Sequence, residues 1–309
     1  MMAITAAMVK DLRDMTGAGM MDCKKALAAT DGDMDKAVEF LREKGLAAAE
    51  KKAGRIAAEG VCETAVAEGG KVAAIVEVNS ETDFVAKNET FRNFVTAVVN
   101  QVITSDSTDT ESFLAEKWAL DSSKTVKEEL SSQIAIIGEN MNIRRFQKVV
   151  AENGFVESYI HGGGRIGVLV ELETSVYNEV TREAAKNVAM QIAAIAPKYV
   201  QRTEIPADYI EHEREILKAQ AMNENTGKPE NIIEKMIEGR LNKELKEICL
   251  VDQVYVKDGD LTVQKYIDSV AKEVGAPVAI KSFVRFETGE GIEKKTENFA
   301  EEVAKQMGQ

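Results

Sequence analysis

The sequence predicts an α+β protein made of several small units, and three observations support this prediction. With 309 residues the chain exceeds one typical domain, and 44% hydrophobic residues suffice for more than one core. Residues 4–45 carry apolar side chains at helical spacing. A pattern of strand, glycine turn, strand and helix then occurs twice, which predicts two related α+β subdomains with antiparallel sheets.

The N-terminal residues 1–55 are predicted to form a helical domain of three short helices. Gly17 separates the first two helices, Asp33 is a candidate N-cap of the third, and Gly45 suits the position after its end. The stretch 47–60 is rich in Ala, Lys and Glu. It predicts a helical linker to the rest of the chain.

The repeat becomes visible when the chain is shifted against itself by 94 residues without a gap. Residues 69–72 (GGKV) then lie over 163–166 (GGRI), and the helical residues 91–94 lie over 185–188. A hairpin with one apolar face must cover that face, and the following helix is the nearest element that can do so. Each copy is therefore expected to form one α+β subdomain, and we assign residues 56–145 to the first and 146–290 to the second.

Phe84 lies among polar residues where the strand pattern of residues 71–78 ends. On base rates, an aromatic side chain in this position closes the core at the end of a strand. The gapless repeat places polar Asn178 at the equivalent position, which favours an exposed Phe84 instead. A strand-to-helix junction is also where loops tend to carry function on a rigid scaffold.

The remaining segments are predicted from apolar spacing and breaker residues. They are a helix at 125–137, a helical hairpin inserted at about 205–246, a strand at 283–286 that returns to the second sheet, and a C-terminal module, 291–309, with a helix at 296–307.

Charge and cysteine content restrict the partners and the compartment. A net charge of −13 repels a phosphate backbone, so nucleic acid is not an expected partner. Cys23, Cys62 and Cys249 lack the spacing of a zinc site or disulfide framework. The first residues show no basic leader, and no long apolar run follows, so we expect a cytoplasmic protein without membrane contact.

No motif in the sequence predicts catalysis, a cofactor or a resident metal. The two histidines are far apart, and the patterns of zinc proteases, serine hydrolases and phosphate-binding loops are missing. Asp83 and Glu81 could bind a divalent ion, but two carboxylates in one loop are more often solvated. His161 precedes a glycine turn and is expected to be exposed, either as a plain turn residue or as a contact.

Met20 and Met21 follow a glycine-rich turn in the small N-terminal domain. Two long apolar side chains there form either a local core plug or an adaptable contact surface. Cys23, on the same predicted helix, is expected to be buried.

Together these segments resemble the bacterial translation elongation factor Ts family, the guanine nucleotide exchange factors of elongation factor Tu. The resemblance spans the chain. It is strongest at residues 12–27 (LRDMTGAGMMDCKKAL) and 77–87 (EVNSETDFVAK), with further matches at 138–145 (GENMNIRR), at His161 and at 290–294 (EGIEK).

The resemblance implies a ubiquitin-associated-like (UBA-like) N-terminal module, a core of two related halves, a coiled-coil hairpin and a C-terminal module. It also implies site residues. Thr82, Asp83, Phe84 and Val85 would disturb the Mg²⁺ site of elongation factor Tu, with Phe84 as a wedge. Further contacts to that partner would come from Lys10, Arg13, Met20, Met21, Ile137 and His161.

Other functions remain open from the residues alone. A passive UBA-type binding or chaperone-like module would bind a partner without accelerating nucleotide release. An acid-base enzyme would need titratable groups converging on a pocket, and the sequence shows only scattered carboxylates.

Overall fold

The protein belongs to the α+β class, as the sequence predicts. The structure, a computed structural model, describes residues 4–224 and 229–293. Within these ranges the strands form two three-stranded sheets and two small two-stranded sheets, and all their pairings are antiparallel. No helix in the described ranges has the length and apolar character needed to cross a lipid bilayer.

The N-terminal residues form three helices: α1 (Ala6–Thr16), α2 (Met20–Ala29) and α3 (Met34–Lys52). Their shared core contains Leu12, Leu27 and, as predicted, Cys23. Asp33 is the N-cap of α3, because its Oδ1 accepts a hydrogen bond of 3.1 Å from the Lys36 amide. These contacts give the small module its own core.

The first sheet unit follows. Its elements are β1 (Glu59–Ala67), β2 (Val72–Ser80), α4 (Asp83–Ala86), α5 (Glu89–Thr104), α6 (Thr110–Ala115), β3 (Lys117–Trp118), β4 (Asp121–Thr125), α7 (Val126–Ile137) and β5 (Met141–Val150). The sheet has the order β1-β2-β5, and α5 covers one of its faces.

The second sheet unit contains a long helical hairpin. Its elements are β6 (Gly154–His161), β7 (Ile166–Glu173), α8 (Glu179–Ile195), the hairpin helices α9 (Ala207–Glu224) and α10 (Glu230–Ile248), β8 (Val254–Tyr255), β9 (Asp258–Thr262), α11 (Val263–Val274) and β10 (Ala279–Glu287). The sheet has the order β10-β7-β6, so the strand predicted at 283–286 does return to it.

The strands of the two units share one geometry at the predicted shift of 94 residues. Gly60 lies opposite Asn79, and Gly154 lies opposite Glu173. A Cβ atom would come within 2.2 Å of the Val78 carbonyl oxygen at Gly60, and within 1.8 Å of the Leu172 carbonyl oxygen at Gly154. Both positions therefore require glycine for the same steric reason.

The two sheets pack face to face. α5 and α8 lie on the outer faces, and the inner faces meet in a core that contains Ile75, Leu169 and Phe286. The central strands β2 and β7 are buried on both faces, which accounts for their nearly continuous apolar sequence.

A second similarity relates the later elements of the two units at a shift of 137 residues. β3, β4, α7 and β5 correspond to β8, β9, α11 and β10. Thr125 and Thr262 are the N-caps of α7 and α11, and Gly138 and Gly275 end these helices in the left-handed conformation. The sequence prediction found α7 and β10 but missed the small hairpins and β5.

The hairpin predicted at about 205–246 corresponds to α9 and α10. The helices share a core with Leu217 and Leu241, and the ion pair Arg214–Glu238 (3.1 Å) crosses between them. The predicted helix at 296–307, and with it most of the module 291–309, lies outside the described residues.

Gly45 corrects the prediction for the third helix. α3 does not end there but continues to Lys52, so residues 47–52 belong to the helix and not to a separate linker. Gly45 is buried against α7, and a Cβ atom at this position would lie 3.7 Å from the Ser131 carbonyl oxygen and 3.9 Å from the Ala135 Cβ. A small residue at this position lets the two helices approach closely, and the N-terminal module is docked on the first sheet unit.

Replacement of Gly45 by alanine is expected to raise the free energy of unfolding by about 0.5–1 kcal/mol. Alanine favours a helix interior over glycine by about that amount, and the added methyl group would meet only ordinary van der Waals contacts. Leucine at the same position would push α3 away from α7 and cost about 1–3 kcal/mol. Denaturant unfolding of both variants measures this, and a destabilising alanine would contradict the described packing.

Candidate partner-binding site

Phe84 lies in the four-residue helix α4, which follows the end of β2. Its side chain is 81% exposed, more than any other large hydrophobic side chain in the described ranges. The interpretation of Phe84 as a buried core plug is therefore wrong. What the exposed ring contacts stays a prediction.

The N-terminal end of α4 is fixed by Thr82 and Glu139. Thr82 is the N-cap, and its Oγ1 accepts a hydrogen bond of 3.3 Å from the Val85 amide. The Glu139 carboxylate accepts two bonds from Thr82, one of 3.0 Å from its amide and one of 2.7 Å from its hydroxyl. Both groups of Thr82 are thus held by a residue distant in sequence.

The C-terminal end of α4 is fixed by Arg92, a residue of α5. Its Nε donates a hydrogen bond of 2.7 Å to the Ala86 carbonyl oxygen. Its Nη2 donates to the Gly163 carbonyl oxygen, in the turn between β6 and β7. One guanidinium group therefore joins α4 to the turn that follows His161.

The four residues of α4 have no counterpart in the second unit. The N-caps of α5 and α8 are Asn88 and Asn178, a shift of 90 and not 94 residues. The buried residues of both helices agree at this shift, including Gln101 with Gln191. The gapless alignment is therefore wrong for the helices, and the difference of four residues equals the length of α4.

Asn178 consequently gives no information about Phe84. It caps α8 through a hydrogen bond of 3.0 Å from the Thr181 amide to its Oδ1, as Asn88 caps α5. The expectation that Phe84 is exposed is confirmed, but the equivalence with Asn178, one of the observations that favoured it, is wrong. A four-residue insertion cannot be located by a shift that is constant along the chain.

Asp83 and Lys87 form an exposed ion pair beside Phe84. The Lys87 Nζ lies 2.6 Å from the Asp83 Oδ2, one helical turn away. The hydrogen bond from Lys87 is the main reason that the pKa of Asp83 lies below its ordinary value. Asp83 therefore carries a full negative charge at neutral pH, next to an apolar side chain that faces solvent.

Ile137 and His161 belong to the two segments that are hydrogen-bonded to the ends of α4 through Glu139 and Arg92. Ile137 is the last residue of α7, half-buried against the first core, and Gly138 and Glu139 follow it. His161 is exposed at the end of β6, as predicted, and its Nδ1 lies 3.0 Å from the Tyr159 hydroxyl. Glu139 and Arg92 thus connect the segments that carry Ile137, Phe84 and His161.

The residues predicted on the N-terminal module are exposed. This holds for Lys10 and Arg13 on α1, while Met20 and Met21 are 53% and 62% exposed at the start of α2. The two methionines are not a local core plug. The exposed Met15 and Ile136 both line a groove of about 570 Å³ between this module and α7.

The described residues contain no group of three or more His, Cys, Asp or Glu side chains that could hold a metal ion. All three cysteines are free thiols and buried. Burial is the largest influence on Cys62 and raises the pKa of its thiol to about 11. A reactive thiolate at neutral pH is therefore not expected there.

Comparison with known proteins decides the family. The family model described as elongation factor TS matches residues 81–290, about two thirds of the chain. The elongation factor Ts of Clostridium novyi (strain NT) is 56% identical over 306 residues, covering 99% of both chains. Those of Clostridium kluyveri and Clostridium perfringens (strain SM101) are each 57% identical over 98–99% of both chains.

The chain belongs to the elongation factor Ts family. It is therefore an elongation factor of protein biosynthesis, and its class is that of the nucleotide exchange factors. Membership does not by itself assign a role to any side chain.

Sequence reasoning missed several residues that shape the surface of this elongation factor Ts family member. Glu139 and Arg92 were not singled out, because their partners lie 57 and 71 residues away in the chain. Ile136 was passed over for its neighbour Ile137. A periodic apolar pattern identifies which face of a helix is buried, but it cannot show which polar side chain crosses to another element.

Proposed function

We propose that the chain is the guanine nucleotide exchange factor of elongation factor Tu, and that Phe84 is the wedge which promotes GDP release. The observation that carries this proposal is an aromatic ring, 81% exposed, on a four-residue helix held at both ends. A single exposed apolar side chain is not unusual by itself, but an aromatic ring on a fixed support is a common anchor of protein interfaces. Family membership supports nucleotide exchange as the class of activity in which the ring would act.

The mechanism follows from linkage between two binding events. Nucleotide release is accelerated only if the factor binds the empty GTPase more tightly than the loaded one. Insertion of Phe84 would shift a helix adjoining the Mg²⁺ site and weaken metal coordination. The phosphate-binding loop could then rearrange and GDP could leave, after which GTP displaces the factor. No covalent bond is made or broken.

Asp83 and Thr82 have distinct parts in this proposal. Asp83 presents a negative charge beside the ring, where it would meet the groups that normally face Mg²⁺ and phosphate. Thr82 and Val85 define the helix that carries the ring. Ile137 and His161 would contact the other domains of elongation factor Tu, and the exposure of His161 supports this.

The N-terminal module would be a second anchor through Lys10, Arg13, Met20 and Met21. We assign it to the UBA-like class, the two sheet units to related halves of one core, and α9 with α10 to the coiled-coil hairpin. The three-helix arrangement and the element order shared at shifts of 94 and 137 residues support these assignments. Three buried free thiols support a reducing cytoplasm.

Replacing both Met20 and Met21 by serine is expected to raise the half-saturating concentration for GDP release about tenfold, which corresponds to about 1.4 kcal/mol of binding. The maximal release rate should stay unchanged, since these residues lie outside α4. Met222→Ser is the matched control, because Met222 is 55% exposed on α9. If the double variant has the half-saturating concentration of the wild type, the two methionines do not contribute to binding. Deletion of residues 1–50 should also weaken binding. It would in addition expose the face of α7 that packs against α3, so its effect could not be assigned to the methionines alone.

The decisive experiment measures release of a fluorescent GDP from elongation factor Tu with and without the full chain. An exchange factor accelerates release when present in amounts far below those of the GTPase. A passive UBA-type or chaperone-like binder would associate without changing the release rate. That outcome would refute the proposal.

A further inference from the structure

We infer that Glu139 and Arg92 are positioning residues for the exchange reaction, which fix the orientation of the Phe84 ring without contacting the partner. This inference deepens the proposed function and rests on it. It assigns a role to two side chains that family membership does not assign.

The need for such residues follows from the local structure. α4 has a single turn, and an isolated helix of this length does not persist in water. On one face Ala86 is buried and Val85 packs partly buried against the first core, while Asp83 and Phe84 are exposed on the other. Two small apolar contacts hold one face of α4, and the orientation of the exposed ring still depends on how the two ends of this single turn are fixed.

Glu139 supplies the missing constraint at the first end. Its two carboxylate oxygens accept hydrogen bonds from the Thr82 amide at 3.0 Å and from the Thr82 hydroxyl at 2.7 Å. Because Thr82 Oγ1 donates to Glu139, its lone pair is directed to the Val85 amide, 3.3 Å away. Charge-assisted hydrogen bonds of this kind are stronger than neutral ones and define geometry.

The segment that carries Glu139 is itself anchored next to the same turn. The Asn140 amide donates a hydrogen bond of 2.5 Å to the Glu81 Oε1, and the Asn140 side chain donates one of 2.7 Å to the Arg55 carbonyl oxygen. Residues 139–140 and 81–82 therefore form a reciprocal pair of carboxylate-to-backbone contacts. This arrangement couples α4 to the end of α7.

Arg92 supplies the constraint at the second end. It donates a hydrogen bond to the last carbonyl oxygen of α4, that of Ala86, and another to the Gly163 carbonyl oxygen of the other sheet unit. Gly164, next in that turn, would bring a Cβ atom within 2.9 Å of the Val61 Cβ. The turn is thus packed closely enough to serve as a fixed support.

The functional consequence is a fixed position of the Phe84 ring relative to the rest of the proposed partner-binding surface. A positioned group that moves by about 1 Å can lose on the order of 100-fold in rate. Since Glu139 and Arg92 act only through the orientation of Phe84, their removal should lower the rate of the exchange step rather than the affinity of the whole surface.

The test compares Glu139→Ala, Phe84→Ala and the double variant in GDP release from elongation factor Tu. Glu139→Ala is expected to lower the maximal release rate about tenfold, with less than about a twofold change in half-saturating concentration. In the Phe84→Ala background, the same substitution should have no further effect, since the ring it positions is gone. Effects that multiply would overturn the inference, as would a wild-type rate in Glu139→Ala.

Conservative variants and a structural readout complete the test. Glu139→Gln can still accept from the Thr82 amide and should recover most of the rate, whereas Glu43→Ala, an exposed residue on α3, is the control. Arg92→Ala tests the second end if Glu139→Ala does not fold. Amide hydrogen exchange at Val85 and Ala86 should become faster in Glu139→Ala, and unchanged exchange there would contradict the inference.

The failure of the inference is distinguishable from that of the proposed function. If the wild-type chain does not accelerate GDP release, the proposed function is refuted, and the kinetic role of Glu139 with it. Amide exchange would still show whether Glu139 holds α4. If the wild-type chain is active and Phe84→Ala is not, the proposed function stands. The variants of Glu139 and Arg92 then decide whether these two residues position the ring.

Discussion

Replacing Phe84 by alanine is expected to slow GDP release from elongation factor Tu by about 30-fold or more. An aromatic anchor at the centre of an interface contributes about 2 kcal/mol or more, and every 1.4 kcal/mol is a factor of ten. The free energy of unfolding should change by no more than about 0.5 kcal/mol, because the side chain is 81% exposed and supports no core.

Leu120→Ala is the matched control for this experiment. Leu120 is 77% exposed in the turn between β3 and β4, so its replacement removes a similarly exposed apolar side chain without touching α4. Stopped-flow release of labelled GDP gives the rates, and denaturant unfolding gives the stability. Normal release by Phe84→Ala, or an equal loss in Leu120→Ala, would show that the ring has no specific role.

Replacing Glu77 by glutamine is expected to lower the free energy of unfolding by about 3 kcal/mol. The Glu77 side chain is fully buried and accepts hydrogen bonds from four donors. The donors are Arg145 Nε (2.6 Å), Gly289 N (2.8 Å), Arg144 Nη1 (3.0 Å) and Asn79 Nδ2 (3.0 Å). An amide offers one acceptor oxygen and turns two N–H donors towards the guanidinium groups.

The magnitude is at the lower end of the range for a broken buried ion pair, because both arginines remain partly exposed and can regain water. Glu43→Gln on the exposed face of α3 is the control and should have an effect within about 0.5 kcal/mol. Since Gly289 and Glu290 follow β10, the loss should also loosen the contact between residues 287–290 and the first sheet unit.

The pH dependence of stability provides a second measurement on Glu77. Burial alone would raise the pKa of this carboxyl, but the hydrogen bonds from Gly289 and Asn79, together with the charge of Arg145, outweigh it and lower the pKa. A lowered pKa in the folded state means that the stabilisation is complete above the unfolded pKa, about 4.3, and is lost as the pH falls through the folded value.

Other carboxyl groups titrate in the same range, so the informative quantity is the difference between wild type and Glu77→Gln. That difference in unfolding free energy should be constant near neutral pH and shrink on acidification below about pH 4. A difference that does not depend on pH would mean that folding leaves the pKa of Glu77 unchanged, and a difference that grows on acidification would mean that folding raises it.

Regular periodicity explains which parts of the fold could be predicted from sequence. The strands of the repeat, the helix at 125–137 and the helical hairpin have long patterns of one period, and each is present in the structure. β3, β4, β8 and β9 were missed because strands of two to five mostly polar residues are too short to show a period. β5 was missed because its sequence alternates poorly between apolar and charged residues.

Two errors had different physical causes, a tertiary contact at Gly45 and an insertion before α5. Gly45 is a typical helix-ending residue, yet α3 continues past it to Lys52 because this part of the helix packs on α7, where a small residue fits. The alignment of Phe84 with Asn178, which favoured an exposed ring, is wrong because the inserted turn α4 changes the shift from 94 to 90 residues for the following helix. The family resemblance alone supports the expectation of an exposed ring correctly. The links through Glu139 and Arg92 depend on contacts across 57 and 71 residues, which no local pattern contains.

The packing of α3 on α7 has a thermodynamic consequence for association. If the N-terminal module were tethered by a loose linker, a partner would bind one part of the chain first and then order the tether to gain the second contact. A docked module presents both parts at a fixed separation, so the second contact occurs at a high effective concentration and with little additional loss of entropy. The same rigidity makes the interface selective, because only a partner whose own two contact sites match that separation can engage both at once.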